Sequence, residues 1–401
     1  MKRVVSIVLA VVFLTTGCSF IGQKDAVDSE PIIPKAVQTL NDETEVANGT
    51  ISGSSNSAVA SVSDPNAVID TSSVSSGRSS GIKDDIGSGG IIINNGFGEG
   101  VIANSDNKDS VLITLYYRNK DRLLIPVTRS VLKQEGLAKA AISGLVDEPV
   151  IREQLDYYGL YPVLPQATKI KGMSIKNGEA IIDFSKEFMN LPTKQDEQMA
   201  ISSVIYTLTG FKTISNVSIR VEGKTVAKLN NGTSLSETRN RNNTFINAEE
   251  TQLKEGYVKC DLYYMCYGNK NFNYLVPVTT QLEKTDDDQF PISMFAELIK
   301  EPSDSKYFTS FQKETKLLSC ALQGDLVILD FSSQISDYGG SEKEECLLNQ
   351  IYYTVNQIEG INKVKILIAG KETTLPEGTE IAVTKNLPTT FNRIMDEKKG
   401  S

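Results

Sequence analysis

Apolar residues define a helix and a strand in the middle of this sequence. Between residues 201 and 208 they recur at spacings of three and four, at Ile201, Val204, Ile205 and Leu208. That spacing places them on one face of an α-helix. Upstream, apolar residues occupy every second position, at Ala180, Ile182 and Phe184. This alternation predicts a strand with one buried face, and Asn177-Gly178 just before it predicts a tight hairpin.

The same pattern occurs twice along the chain. Four short segments recur in the same order: residues 124–128 as 275–279, 145–149 as 298–302, 183–185 as 330–332, and 221–224 as 368–371. The offsets are 151, 153, 147 and 147 residues. Landmarks repeated in order at a nearly constant offset indicate a duplicated domain.

Each copy predicts the element order β-β-α-β-β-α-β. Two strands are followed by a helix that we expect to end near Glu148-Pro149 or Glu301-Pro302, because proline disfavours helix in the residue before it. A second hairpin, the helix described above and a last strand complete the copy. Antiparallel hairpins covered by helices predict an α+β sandwich in each copy. The predicted domains are residues 109–235 and 257–385, with a linker at 236–256 and a tail at 386–401.

The N-terminus has the pattern of an export signal. Met1-Lys2-Arg3 is followed by a short apolar run that ends at Leu14, and then by Gly17-Cys18. A basic start and about ten apolar residues are typical of a signal peptide. We therefore expect cleavage after residue 17 and lipidation of Cys18, the alternative being an ordinary signal peptide followed by a chance cysteine. Lipidation would place the protein on the extracytoplasmic face of the cell membrane.

Residues 18–108 predict a flexible tether. This stretch is dominated by Ser, Asn, Gly, Ala and Val and holds few aromatic residues, so it cannot bury enough surface to offset the entropy of ordering. A flexible chain of this length has a root-mean-square span of about 50 Å.

The composition excludes several kinds of chemistry. The chain has no histidine and no tryptophan, which removes the commonest general base and metal ligand. Its net charge is −9, and Lys2 and Arg3 would be lost with the signal peptide. An acidic chain without a basic block is a poor ligand for nucleic acid. We predict no catalytic residues, no metal and no cofactor.

Four cysteines besides Cys18 lie in the second copy. Cys260 and Cys266 fall on one predicted strand, which puts their Cα atoms about 20 Å apart and beyond disulfide reach. Either could pair with Cys320 or Cys346, or all four could be free thiols.

Two sets of residues are candidates for chemistry or contact. Asp183 and Asp330 follow equivalent strands and could suggest a carboxylate pair, but an equivalent place in each copy favours a structural role, such as accepting hydrogen bonds from loop amides. Tyrosines on the first strands of the two copies could pack internally or form a partner-facing patch; the candidate contact residues are Tyr116, Tyr117, Tyr263 and Tyr264.

Several of these segments resemble the GerMN domain family. The resemblance is carried by Leu-Tyr-Tyr at 115–117, Leu-Ile-Pro-Val-Thr at 124–128, Ala-Ile-Ile-Asp-Phe-Ser at 180–185 and the stretch from 205 to 223. It covers both copies, and it implies a fold similar to the ring-building modules of secretion and sporulation channels. It carries over no catalytic residue.

The resemblance implies a lipoprotein of sporulation or germination. We expect it to be anchored by its lipid and to assemble or brace an envelope complex through contacts with sporulation or other envelope proteins. Peptidoglycan is a further candidate partner. The alternatives are a cell-wall enzyme or wall-binding module that uses carboxylates at the domain junction, and a solute-binding lipoprotein.

Overall fold

The computed structural model describes residues 101–103, 109–249, 252–269, 272–286 and 289–394. All of them belong to one compact unit, residues 81–401. The predicted signal peptide, Cys18 and most of the predicted tether lie outside the described residues. Among the described residues, no helix has the length and apolar composition needed to cross a bilayer.

Within the described residues, the first copy and the strand just before it contain eight strands and three α-helices. In chain order they are β1 (Val101–Ala103), β2 (Ser110–Asn119), β3 (Leu124–Leu132), α1 (Leu137–Ser143), α2 (Pro149–Asp156), β4 (Leu160–Tyr161), β5 (Ile170–Lys176), β6 (Glu179–Phe184), α3 (Lys194–Leu208), β7 (Asn216–Val221) and β8 (Lys224–Thr225). A turn of 3₁₀ helix, Lys186–Met189, precedes α3.

The second copy is simpler within the described residues. Its elements are β9 (Tyr257–Tyr267), β10 (Asn273–Glu283), α4 (Gln289–Ile299), β11 (Leu317–Gln323), β12 (Leu326–Phe331), α5 (Ser341–Val355), β13 (Lys363–Ile368) and β14 (Lys385–Asn386). A 3₁₀ turn, Ser333–Ser336, again precedes the long helix. The predicted α+β fold is therefore confirmed. The predicted β-β-α-β-β-α-β order is present in both copies, with β1, α2, β4 and β8 in addition in the first and β14 in addition in the second.

Each copy builds two separate sheets. In the first copy β2 pairs antiparallel with β3 on one edge, and with β1 and β4 on the other. The second sheet has the order β5-β6-β7-β8. Its central strands β6 and β7 are parallel. Parallel neighbours need a crossover connection, which here contains helix α3. The second copy repeats this with β9 and β10, and then β11-β12-β13-β14.

The first two strands of each copy pair in the same register. Equivalent residues of the first strand are 147 positions apart in the sequence. Tyr116 of β2 faces Pro126 of β3, and Tyr263 of β9 faces Pro277 of β10. Proline lacks the N–H that a strand ladder needs, so it is found at sheet edges. β3 and β10 are accordingly the outer strands of their hairpins.

Helix α3 lies in the centre of the first copy. Its predicted face is buried, with Ile201 and each of the other three residues at most 4% exposed. The opposite side is buried as well, because Ser203 donates a hydrogen bond to the Tyr116 carbonyl of β2 at 2.6 Å. In α5 the equivalent face is kept at three positions, whereas Tyr352 is half-buried and its neighbour Tyr353 is buried.

Pro149 starts a helix, contrary to the prediction that a helix ends there. α1 stops at Ser143 and α2 begins at Pro149, which follows the extended residue Glu148 (φ −103°, ψ 148°). Proline suits the first helical position, where no backbone N–H is required. In the second copy α4 ends at Ile299, before Glu301-Pro302, as predicted.

Three segments outside the two predicted domains contain ordered structure. Strand β1, at residues 101–103, falls inside the predicted tether. Ile246 in the predicted linker is fully buried, and Phe391 and Ile394 in the predicted tail are 3% and 7% exposed. The linker and the tail therefore contribute to the packed interior.

Candidate functional site

The four candidate contact tyrosines lie inside the protein. Tyr116 and Tyr263 are 1% and 0% exposed, and Tyr117 and Tyr264 are also buried. Tyr116 packs edge-on against Tyr206 of α3, with 5.4 Å between ring centroids. In this arrangement the rings serve packing and present no surface to a partner.

Asp183 and Asp330 hold equivalent turns in their own copies. The Asp183 carboxylate accepts a hydrogen bond from the Gly223 amide at 2.8 Å, and Asp330 accepts one from Gly370 at the same distance. Both glycines have positive φ, 76° and 73°, which glycine adopts at little cost. The predicted structural role, accepting a hydrogen bond from a loop amide, has this geometry. The amide lies in the turn that follows β7 in the first copy and β13 in the second.

The four cysteines of the second copy form no disulfide with one another. Burial raises the pKa of Cys266 to about 12 and that of Cys346 to about 11. The pKa of Cys260 is raised as well, by burial first and then by Asp261. Thiols with raised pKa values are poor nucleophiles. Within the described part of the chain, no group of three or more His, Cys, Asp or Glu side chains is placed to hold a metal ion.

The edges of β3 and β10 meet at the junction between the copies, where Asn247 joins them. Its side-chain amide donates to the Leu124 carbonyl of β3 at 2.9 Å and to the Pro277 carbonyl of β10 at 2.8 Å. Its side-chain oxygen accepts the Leu124 amide at 2.7 Å. One asparagine therefore bonds a strand of each copy.

Asn392 makes the reciprocal set of bonds. Its side-chain amide donates to Leu275 of β10 at 2.7 Å and to Pro126 of β3 at 2.8 Å. Its side-chain oxygen accepts the Leu275 amide at 2.9 Å. Each asparagine bonds the leucine of its own copy and the proline of the other, so the junction has an approximate two-fold symmetry.

The residues before each asparagine extend this arrangement. The Thr279 amide donates to the Ile246 carbonyl at 2.9 Å, and the Ile246 amide donates to the Thr279 hydroxyl at 2.9 Å. In the same way, the Thr128 amide donates to the Phe391 carbonyl at 2.8 Å, and the Phe391 amide donates to the Thr128 hydroxyl at 2.7 Å. We call residues 246–247 and 391–392 the clamp segments. They satisfy strand-edge groups that would otherwise be open to another strand.

One side of the junction carries a buried ion pair that breaks the symmetry. Lys259 and Asp261 of β9 are 2.9 Å apart, and their side chains are 2% and 4% exposed. Asp261 also accepts hydrogen bonds from Tyr206 of the first copy at 2.7 Å and from Thr279 at 2.6 Å. Burial, and then Asp261, raises the pKa of Tyr206 well above its usual value, so this phenol remains a donor.

Two buried glutamates hold the loop that follows β8 in the first copy and β13 in the second. Glu197 in the first turn of α3 accepts the amides of Asn231 and Thr233 at 2.5 and 3.1 Å. Glu344 in α5 accepts the amides of Glu377 and Thr379 at 2.9 and 3.3 Å. These glutamates, like the clamp asparagines, were missed by sequence reasoning. The offset of 147 residues between the glutamates is the signal that could have identified them.

Two adjoining cavities open beside α3 near the junction. The first has a volume of about 270 Å³ and is lined by residues of both copies, including Arg122, Asp304 and Lys306, and by Glu249 of the linker. The second has a volume of about 450 Å³ and lies along residues 232–245. Asp304 is paired with Lys306 at 3.1 Å.

Comparison with known proteins agrees with this architecture. The family model described as "Germane: Sporulation and spore germination" matches residues 114–227 and 261–382. The chain belongs to the Germane family. The two matched ranges fall one in each copy and stop short of both clamp segments.

Relatives of this Germane chain include a protein with the same duplication. The chain is 31% identical over 289 residues to the spore germination protein GerM of Bacillus subtilis (strain 168), which covers 69% of this chain and 77% of GerM. A solved structure of the tandem GerMN domains of the sporulation protein GerM from Bacillus subtilis matches with a TM-score of 0.61 and 30% identity, over 70% of this chain and 99% of the solved one. The resemblance to tandem GerMN domains is thus confirmed.

Proposed function

We propose that this Germane-family chain acts in sporulation and spore germination as a lipoprotein on the extracytoplasmic face of the cell membrane. It assembles or braces an envelope complex there through contacts with other proteins. The observation that carries the proposal is the match of both copies to the tandem GerMN domains of a sporulation protein.

The junction geometry supports a bracing role. A scaffold must hold its docking surfaces at a fixed spacing, and reciprocal hydrogen bonds through Asn247 and Asn392 join the two copies. Asp183 and Asp330, the carboxylates that suggested catalysis, each bond a glycine amide of their own copy. The conspicuous polar groups are therefore engaged in holding the fold.

A gene-deletion experiment tests the proposal. Deletion in the native host is expected to reduce the yield of mature spores or their germination, and the wild-type gene is expected to restore both. Cys18→Ser is expected to restore less, because the protein would lose its lipid anchor. Normal spore formation and germination in the deletion strain would overturn the proposal.

Cross-linking in sporulating cells tests the assembly role separately. The wild-type chain is expected to capture other envelope proteins, whereas a chain with both Asn247→Ala and Asn392→Ala should capture fewer at equal abundance. Equal capture by this variant would show that a fixed spacing of the copies is not required.

The first cavity favours one second candidate, a cell-wall enzyme, because the carboxylates Glu249 and Asp304 both line it. Such an enzyme would release soluble fragments from purified peptidoglycan and would lose activity in Glu249→Gln or Asp304→Asn. Absence of release by the wild-type protein would remove this candidate. We favour the scaffold because Asp304 already forms an ion pair with Lys306.

A further inference from the structure

The two cavities beside α3 form one groove. They share Gln198, Ser202 and Phe245 in their walls. Ser202 donates a hydrogen bond to the Phe245 carbonyl at 2.8 Å, which holds the loop against the helix at the point where the cavities meet. We call this feature the junction groove. The second cavity, with a volume of about 450 Å³, is within the range of small-ligand sites, about 300–1,000 Å³. The first, with about 270 Å³, is just below that range.

Charges along the junction groove are nearly balanced. The first cavity is lined by Arg122 and Lys306 and by the carboxylates Glu249 and Asp304. Arg122 is paired in turn with Asp196 of α3. The second cavity is lined by Lys194, Arg239 and Glu237, so the whole groove has one more cationic than anionic side chain. Charges so nearly compensated create no strong field of one sign, and the groove therefore does not select a phosphate or another highly charged ligand.

The second cavity is rich in groups that form neutral hydrogen bonds. Its walls include several hydroxyl and side-chain amide groups, from Gln198, Thr233, Ser234, Asn243 and Thr244. A ligand that matches this wall must offer both donors and acceptors along its length, as hydroxyl groups do.

Three buried polar atoms in this wall have no hydrogen-bond partner among the described residues. They are Thr233 Oγ1, Arg239 Nε and Thr244 Oγ1. Thr244 is only 4% exposed. Buried polar groups in native proteins are normally paired, and each of these atoms exposes less than 1 Å². Rotation of the two threonine side chains would bring their hydroxyls to the cavity, where a polar ligand would complete the cluster.

Apolar surface lies beside these polar groups. Ile201 and Phe245 line the second cavity, and so does Leu253, which is 49% exposed. A pyranose ring combines C–H faces with hydroxyl edges, and both surfaces of this wall therefore have a counterpart on a sugar.

We propose that the junction groove binds a neutral oligosaccharide segment. This site is additional to the protein–protein role proposed above and does not depend on it. The hydroxyls of Thr233 and Thr244 and the amide of Gln198 contact sugar hydroxyls, and the apolar residues contact the ring faces.

An extended peptide fits this wall less well. Peptides gain most of their specific binding by adding to a strand edge, by laying a helix in an apolar groove or by docking a proline helix on aromatic residues. The residues that line the second cavity belong to α3 and to loops, so it offers no strand edge, and Phe245 is its only aromatic residue among those described.

Binding of defined tetrasaccharides tests the proposal. The chain from residue 19 to 401 is titrated with the β-1,4-linked tetramer of N-acetylglucosamine and with that of glucose, by calorimetry and by saturation-transfer NMR. Saturable binding of at least one is expected. Thr244→Val, which removes one hydroxyl at nearly constant shape, is expected to weaken binding at least tenfold, and Gln198→Ala to weaken it as well.

Thr207→Val is the matched control. Thr207 is fully buried and its hydroxyl also has no partner among the described residues, but it lines neither cavity. The same chemical change there should leave binding unaltered, and both valine variants should unfold at or above the wild-type temperature. The proposal is overturned if neither sugar binds saturably, if both valine variants affect binding equally, or if an uncharged tetrapeptide competes with the sugar for the groove.

Discussion

Asn247 and Asn392 perform the same task on opposite sides of the junction. Each donates two hydrogen bonds, one to its own copy and one to the other, with N–O distances between 2.7 and 2.9 Å. The junction therefore resembles the isologous interface of a two-fold dimer, built within one chain. We expect a tandem repeat with such an interface to unfold as a single unit.

Replacing either clamp asparagine should destabilise the protein. Asn247→Ala or Asn392→Ala leaves buried strand carbonyls unpaired, at a cost of about 1–3 kcal/mol for each unsatisfied group. The urea midpoint is expected to fall in each single variant and further in the double variant. Asn362→Ala, at an exposed position, is the control and should unfold like the wild type. An unchanged midpoint in the double variant would contradict the importance of the clamps.

The buried ion pair allows a second test, for which the chain supplies its own reference. Positions 259 and 261 correspond to Leu112 and Thr114 of the first copy, 147 residues earlier. Lys259→Leu alone should destabilise the fold by about 3–5 kcal/mol, because it leaves the buried Asp261 carboxylate without its cation. The double change Lys259→Leu with Asp261→Thr should recover most of the loss, since it recreates the neutral pair of the first copy.

Urea unfolding of the three proteins measures this difference. The contrast between the single and the double variant is informative because the two differ only at residue 261. Equal destabilisation of both would show that Asp261 matters for its own hydrogen bonds to Tyr206 and Thr279, and not because its charge must be compensated.

The sequence predicted the fold within each copy better than it predicted the contacts between the two copies. Periodicity identified the buried face of α3 because each residue of that face contributes to one local pattern. The bonds of Asn392 to Pro126 span 266 residues and leave no local pattern. A weak signal was present, since Thr-Phe-Ile-Asn at 244–247 recurs as Thr-Thr-Phe-Asn at 389–392. Pro149 was misread because proline suits both the residue after a helix and the first residue of one.

The two buried glutamates should make stability depend on acid pH. Burial alone would raise the pKa of Glu197, but hydrogen bonds from Asn231 and Thr233 outweigh it and the pKa is lowered. The pKa of Glu344 is lowered in the same way, with burial opposed by bonds from Thr379 and Glu377. A folded pKa below the unfolded value of about 4.3 stabilises the protein above that pH, and this stabilisation is lost as the pH falls through the folded pKa.

Urea midpoints between pH 3 and pH 7 check this expectation. The wild-type midpoint should fall steeply below about pH 4.3, and a variant with both Glu197→Gln and Glu344→Gln should start lower at pH 7 and lose less on acidification. Glu237→Gln, at an exposed position, should keep the wild-type profile. A double variant with the wild-type acid dependence would place the titrating groups elsewhere.

The turn-holding aspartates give the last prediction. Asp183→Ala and Asp330→Ala each remove a charged acceptor from a glycine amide, a hydrogen bond that contributes about 1.5–3 kcal/mol. They act in different sheets, so their effects on the free energy of unfolding should add. Urea unfolding of the two single variants and the double variant checks this, and Asp183→Asn, which keeps an acceptor oxygen, should lose less. A pair acting on a shared ligand would instead be strongly non-additive in ligand binding while leaving stability nearly unchanged, and that result would contradict the structural role assigned to both residues.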